Sequence, residues 1–102
     1  MPRLIALYNQ PDEPDAFDAH YANVHTPIVQ SYPNLRELRM GKPTGVGGRP
    51  SPYYLMAEMV FDSQEDLDAA LSSEAGIASG RDLRNFAAAG ATLFVAPDEA
   101  DA

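Results

Sequence analysis

The stretch Tyr53-Tyr54-Leu55-Met56-Ala57-Glu58-Met59-Val60-Phe61-Asp62 decides the architecture. It is rich in aromatic and bulky apolar residues, holds no Gly or Pro, and lies between a Pro-rich loop and a helix-capping sequence, so it predicts a strand. One face would carry Tyr53, Leu55, Ala57, Met59 and Phe61, and the other Tyr54, Met56, Glu58 and Val60. A sheet with one wet face alternates apolar with polar residues, and this strand does not. Arg3 to Asn9 behaves alike, with Leu4, Ala6 and Tyr8 opposed to Ile5 and Leu7. So does Ala91 to Ala96, with Leu93 and Val95 opposed to Phe94.

Downstream of the central strand, Ser63-Gln64-Glu65-Asp66 reads as a capping box opening a helix that buries Leu67, Ala70 and Leu71. A second helical piece from about Glu74 to Ala88 carries Gly76, Gly80, Leu83 and Ala87 at helical spacing. Small residues there would let it lie close against the sheet, at about 1 kcal/mol of propensity per glycine. Gly90 breaks this helix before the last strand. Upstream, Pro43 to Pro52 is a long Gly/Pro loop, preceded by a strand of mixed polarity from Leu35 to Lys42. The first helix follows a cap at Asp12 and places Phe17, Tyr21, Val24 and Ile28 in one stripe. Pro27 cannot donate to the carbonyl of Asn23, so a kink is expected near residues 23–27, with helix resuming to about Tyr32. The order is β-α-β-β-α-β, an α+β ferredoxin-like arrangement on an antiparallel sheet. Residues 1–97 form the domain and residues 98–102 an acidic tail.

Helices on one side can cover only one face of such a sheet. A second copy stacked about 10 Å away is the economical cover for the other, so a homodimer is expected. The net charge of −8 repels phosphate backbones and anionic surfaces, which argues against nucleic-acid and membrane partners. No leader or spanning segment is readable. The absence of cysteine removes disulfides, thiolate nucleophiles and sulfur-rich zinc sites, and suits the cytoplasm.

The two histidines, His20 and His25, lie on the first helix. Five residues apart, they would stand about 140° from each other on opposite shoulders of the apolar stripe, unable to chelate one metal as an i, i+4 pair does. No metal site is expected. His25 stands just before the Pro27 break, where its imidazole can donate to a freed helix carbonyl and offer its other nitrogen to a pocket as a general base. The competing reading is that it only satisfies the broken helix. Glu58 would pair with an arginine across the dimer or line a pocket. Gly41 to Gly48 resembles a phosphate loop only superficially, since no helix follows it.

The run Ala16-Phe17-Asp18-Ala19-His20-Tyr21-Ala22-Asn23-Val24-His25-Thr26-Pro27, with its aromatic pair and His-x-Pro, resembles the first-helix signature of EthD-type proteins. So do Leu4 to Pro11, Ala57 to Ser63, Asp82 to Phe86 and Gly90 to Leu93, which together span nearly the whole domain. The resemblance implies a dimeric α+β barrel. It implies a small-molecule enzyme or enzyme-like protein acting on a hydrophobic or aromatic compound in a catabolic or secondary-metabolite pathway. His25 would be the catalytic acid/base and Tyr21 a substrate-binding wall or orienting hydroxyl. An enzyme of this kind would be a cofactor-independent isomerase, cyclase or mono-oxygenase. The alternatives are a non-catalytic ligand-binding or accessory dimer supporting an oxidative degradation system, and a dimer with no small-molecule role.

Overall fold

The computed structural model describes residues 1–97, so the acidic tail assigned to residues 98–102 lies outside the described residues. The chain runs β1 (Arg3–Asn9), α1 (Pro14–His20), a π-helical turn (Tyr21–His25), α2 (Thr26–Gln30), β2 (Glu37–Gly41), a short 3-10 turn (Val46–Gly48), β3 (Tyr53–Val60), α3 (Gln64–Ser72), α4 (Glu74–Phe86) and β4 (Ala91–Ala96). The strands pair antiparallel in the order β2-β3-β1-β4, the ferredoxin-like α+β arrangement. Among the described residues no helix is long and apolar enough to cross a membrane.

Local chemistry accounts for the helix starts. Pro14 opens α1, where its missing N–H costs nothing, but the cap position falls on Glu13 rather than Asp12 and no side chain caps it. The Ser63 hydroxyl accepts from the Asp66 N–H at 3.1 Å, and the Ser73 hydroxyl accepts from the Gly76 N–H at 3.1 Å. Gly76 is needed for a close approach, though not to the sheet. A Cβ there would stand 2.2 Å from the carbonyl oxygen of Ala70, at the junction of α3 and α4. Gly90 takes φ +111°, a conformation that favours glycine, and turns the chain into β4.

The helices cover the face bearing Leu4, Ala6, Tyr8, Leu55, Ala57 and Met59, where Phe61 and Leu67 are fully buried. Burying such a side chain contributes about 1.5–3 kcal/mol, so this layer holds the fold. Tyr54 also lies on this side. The register of β1 with β3 shifts between Tyr8 and Asn9, so Tyr53 and Tyr54 together oppose one residue. That bulge turns the Tyr54 ring edge-on to Phe17, at 5.3 Å, and its hydroxyl onto Asp18 at 2.9 Å.

The opposite face is less uniformly apolar than strict alternation suggested. Ile5, Leu7, Met56, Val60 and Phe94 share it with a charge lattice. Glu58 lies 3.9 Å from both Arg3 and Arg39, and Arg39 grips Glu37 with two bonds of 2.8 and 3.0 Å. Glu58 therefore finds its arginines within its own chain.

Candidate active site

The first helix does not simply kink at Pro27. It widens into a π-helical turn, in which the Thr26 N–H reaches back five residues to the Tyr21 carbonyl. Proline cannot make the bond to Asn23 that would continue an α-helix, and one extra residue in the turn absorbs the mismatch. The inserted residue shifts every later side chain around the axis. Tyr21, His25 and Val29 face inward and are buried, whereas Val24, expected in the apolar stripe, is exposed. His25 thereby moves from the shoulder of the helix to its buried face, and His20 comes round toward it.

Both imidazoles meet one carboxylate, Asp82 of α4. His20 Nε2 lies 2.9 Å from Oδ1 and 3.1 Å from Oδ2, and His25 Nδ1 lies 3.0 Å from Oδ2. Asn85 adds a third donor to Oδ1 at 3.0 Å. The histidines are thus two donors to a single acceptor, contrary to the placement on opposite shoulders. The N–H of His25 goes to a carboxylate, not to a freed helix carbonyl. Asp82 is 6% and His25 4% exposed, so their pair is buried, while His20 is partly exposed and Asn85 lies at the surface. Among the described residues no group of three His, Asp or Glu side chains is arranged to hold a metal ion.

The network assigns the protons. Burial penalises the Asp82 carboxylate, but hydrogen bonds from Asn85, His20 and His25 outweigh that and hold its pKa below the usual aspartate range. An ionised carboxylate only accepts, so His25 carries its proton on Nδ1. Burial also pushes the His25 pKa below its ordinary value, against the opposing pull of Asp82. At neutral pH the ring is therefore neutral, with its lone pair on Nε2. Nε2 points toward the Tyr8 hydroxyl, 3.4 Å away, which is too long for a strong bond. Burial raises the pKa of Tyr8 and Tyr32, and pushes Tyr21 up to about 12, so all three phenols remain donors. The Ser79 hydroxyl donates to the Gly76 carbonyl at 2.9 Å, which leaves Tyr32 as the donor in its short bond to Ser79 Oγ.

These groups surround a cavity of about 70 Å³ between the sheet and the helices. Its floor is Leu4, Ala6, Ala57 and Met59, and its polar wall is Tyr8, Tyr21, His25, Tyr32 and Ser79. The Tyr21 hydroxyl has no hydrogen-bond partner among the described residues and so is available to a guest. The two site residues expected from sequence, His25 and Tyr21, both line this cavity. His20 does not; its ring stacks at 19° on Phe86 while it braces Asp82. Sequence reasoning missed Asp82, Tyr8, Tyr32 and Ser79. The available signal for Asp82 was its place at the head of the closing Asp-Leu-Arg-Asn-Phe motif; spacing alone gave none.

Comparison with known proteins follows the same lines. The EthD domain model matches residues 9–90. An uncharacterised 11.0 kDa protein of the thcB-thcC intergenic region of Rhodococcus erythropolis is 34% identical over 97% of this chain and 96% of its own length. The crystal structure of an ethyl tert-butyl ether d (EthD) family protein from Bacillus halodurans is 40% identical, with TM-score 0.89 over 96% of this chain and 98% of that one. Two structures share the fold alone. A dimeric ferredoxin-like protein of unknown function from Thermobifida fusca is 16% identical, with TM-score 0.70 over 95% and 90% of the two chains. SnoaB, a cofactor-independent oxygenase from Streptomyces nogalater, is 11% identical, with TM-score 0.70 over 96% and 92%. The family match over most of the chain, with the 40% identical structure, makes this chain a member of the EthD domain family.

Proposed function

We propose that this chain is a homodimeric small-molecule enzyme whose central step is proton transfer on a hydroxylated aromatic or enol compound. The observation that carries the reading is His25. It is a neutral, buried imidazole fixed by Asp82, with its second nitrogen, held only by a long contact to Tyr8, on the polar wall of a cavity with an apolar floor. A His–carboxylate pair of this kind holds the base in one tautomer and stabilises the imidazolium that forms. Nε2 takes a proton from a substrate O–H or activated C–H, and the electron pair stays on the substrate as a phenolate or enolate. The Tyr21 hydroxyl donates to that oxygen, and the imidazolium returns its proton to another atom. Making such an anion is the step that cofactor-independent isomerases, cyclases and mono-oxygenases have in common. SnoaB, on the same fold, supports the reading by analogy only.

The test is a panel of monocyclic phenols and cyclic enols incubated with the protein in deuterated buffer. Exchange of carbon-bound protons, followed by NMR, is expected above the solvent rate for part of the panel. Binding without exchange or turnover would support the accessory, ligand-binding reading instead. Neither binding nor exchange anywhere in the panel would overturn both.

The homodimer rests on the uncovered sheet face, where Phe94 is 43% exposed opposite Ile5, on the face that also carries Leu7 and Met56. A twofold partner would cover that apolar half, and the Arg3–Glu58–Arg39–Glu37 lattice would form a polar border. Sedimentation at micromolar concentration is expected to give a dimer, and Phe94→Asp to shift it toward monomer. A compact parent monomer at that concentration would remove the proposal.

A further inference from the structure

Gly80 stands in the middle of α4 and lines the cavity, yet nothing in the fold requires a glycine there. A Cβ built at Gly80 meets no atom within 4 Å, whereas one at Gly76, a turn earlier, would strike the Ala70 carbonyl. Glycine is among the poorest residues for a helix interior, so Gly80 weakens α4 with no return in packing. The space it leaves open is the cavity mouth. Of the residues lining the cavity, the deep ones, among them Tyr8 and His25, are buried. Leu71, Gly80 and Leu93 are exposed and form the rim, with Leu71 at 39% and Leu93 at 47%.

Size gives the rim a function. An apolar cavity that encloses benzene has about 150 Å³, roughly twice the volume found here. A ring seated against His25 therefore fills the cavity as far as its mouth, and any substituent opposite its hydroxyl passes Gly80 and lies between Leu71 and Leu93. We propose that Gly80 is the specificity-determining residue of this site, an aperture that admits monocyclic phenols bearing an apolar para substituent. This rests on the proton-transfer reading for the hydroxyl end of the ligand, while the aperture itself rests on Gly80 and the rim.

The experiment uses the full chain, its Gly80→Ala and Gly80→Leu variants, and three probes: phenol, 4-butylphenol and butylbenzene. Gly80→Ala is expected to raise Tm by several degrees, because alanine is the better helix former and meets nothing. Gly80→Leu is expected to weaken 4-butylphenol relative to phenol, raising the ratio of their dissociation constants at least tenfold. An unchanged ratio in Gly80→Leu overturns the proposal, as does a fall in Tm of several degrees in Gly80→Ala, which would give the glycine a packing role. The butylbenzene probe separates the two readings. If it binds as well as 4-butylphenol and loses affinity in Gly80→Leu, the aperture stands and the hydroxyl-directed reading fails. If 4-butylphenol is preferred but Gly80→Leu does not alter the ratio, the proton-transfer reading stands and the aperture fails.

Discussion

Replacing Asp82 with asparagine is expected to lower turnover by about 10³–10⁴-fold, the scale on which a His–carboxylate pair fails when its carboxylate becomes an amide. The cause lies in the donor count. Asp82 accepts from His20, His25 and Asn85 at once, and an amide offers one accepting oxygen while its NH2 faces another donor. His25 escapes that clash by moving its proton to Nε2, so that Nδ1 accepts from the amide. The nitrogen facing the cavity then carries a proton and can no longer act as a base. Imidazole nitrogen NMR reads the tautomer directly, and a switch from Nδ1–H to Nε2–H in Asp82→Asn is the expected signature. Stability should also fall by about 1–3 kcal/mol in denaturant unfolding. Asp82→Ala, which leaves the buried His25 N–H with no acceptor, should cost a similar amount, about 1–3 kcal/mol, the desolvation penalty of one unpaired donor. An Asp82→Asn protein with parental turnover and an unmoved tautomer would show that Asp82 only ties the helices together.

The second large effect belongs to His25. Asparagine at this position keeps an N–H near Nδ1 to satisfy Asp82 but offers no base, so His25→Asn should lose about 10²–10⁴-fold in turnover. The pH dependence has a definite sign. Because the folded-state pKa of His25 lies below its ordinary 6.5, the unfolded chain takes up the proton first on acidification. The stability gained from keeping the ring neutral is complete above about pH 6.5 and is lost as pH falls from there toward the folded pKa. The slope in that window is at most about 1.4 kcal/mol per pH unit. His25→Asn should lack it, and since His20 and Asp82 remain in both proteins, the difference curve belongs to His25. The acid limb of kcat/KM should likewise fall with an apparent pKa below 6.5. Identical pH–stability curves for parent and variant would contradict the buried neutral imidazole. Loss of stability without loss of turnover would make His25 a structural residue.

These effects could not be weighed from spacing alone. Pro27 announces a break in the first helix, and that much is legible in the sequence. How the chain resolves the break is not, because a kink, a stop and a π-helical turn all answer the missing N–H. The choice depends on what the following turn packs against. Here the π-helical turn buries His25 and Val29 instead of Val24 and brings both histidines to Asp82, 57 residues away from His25. A partner so distant leaves no trace in local periodicity. The two glycines of α4 make the same point, since both read as small residues for close packing. Gly76 is one, against α3 rather than the sheet, and Gly80 faces open space.

The order of strands and helices, the antiparallel ferredoxin-like sheet, the helix-covered layer and the placing of His25 and Tyr21 as site candidates followed from the sequence alone. Those features are written in local periodicity, in caps and breakers, and in motif resemblance, which are properties of neighbours along the chain. The tertiary structure decided which face each histidine takes, which carboxylate holds them, that Tyr8, Tyr32 and Ser79 complete the polar wall, and where the cavity opens. Those features come from side chains meeting across elements far apart in sequence, where sub-ångström packing and a one-residue shift in helical register select among arrangements that the pattern of residues leaves equal.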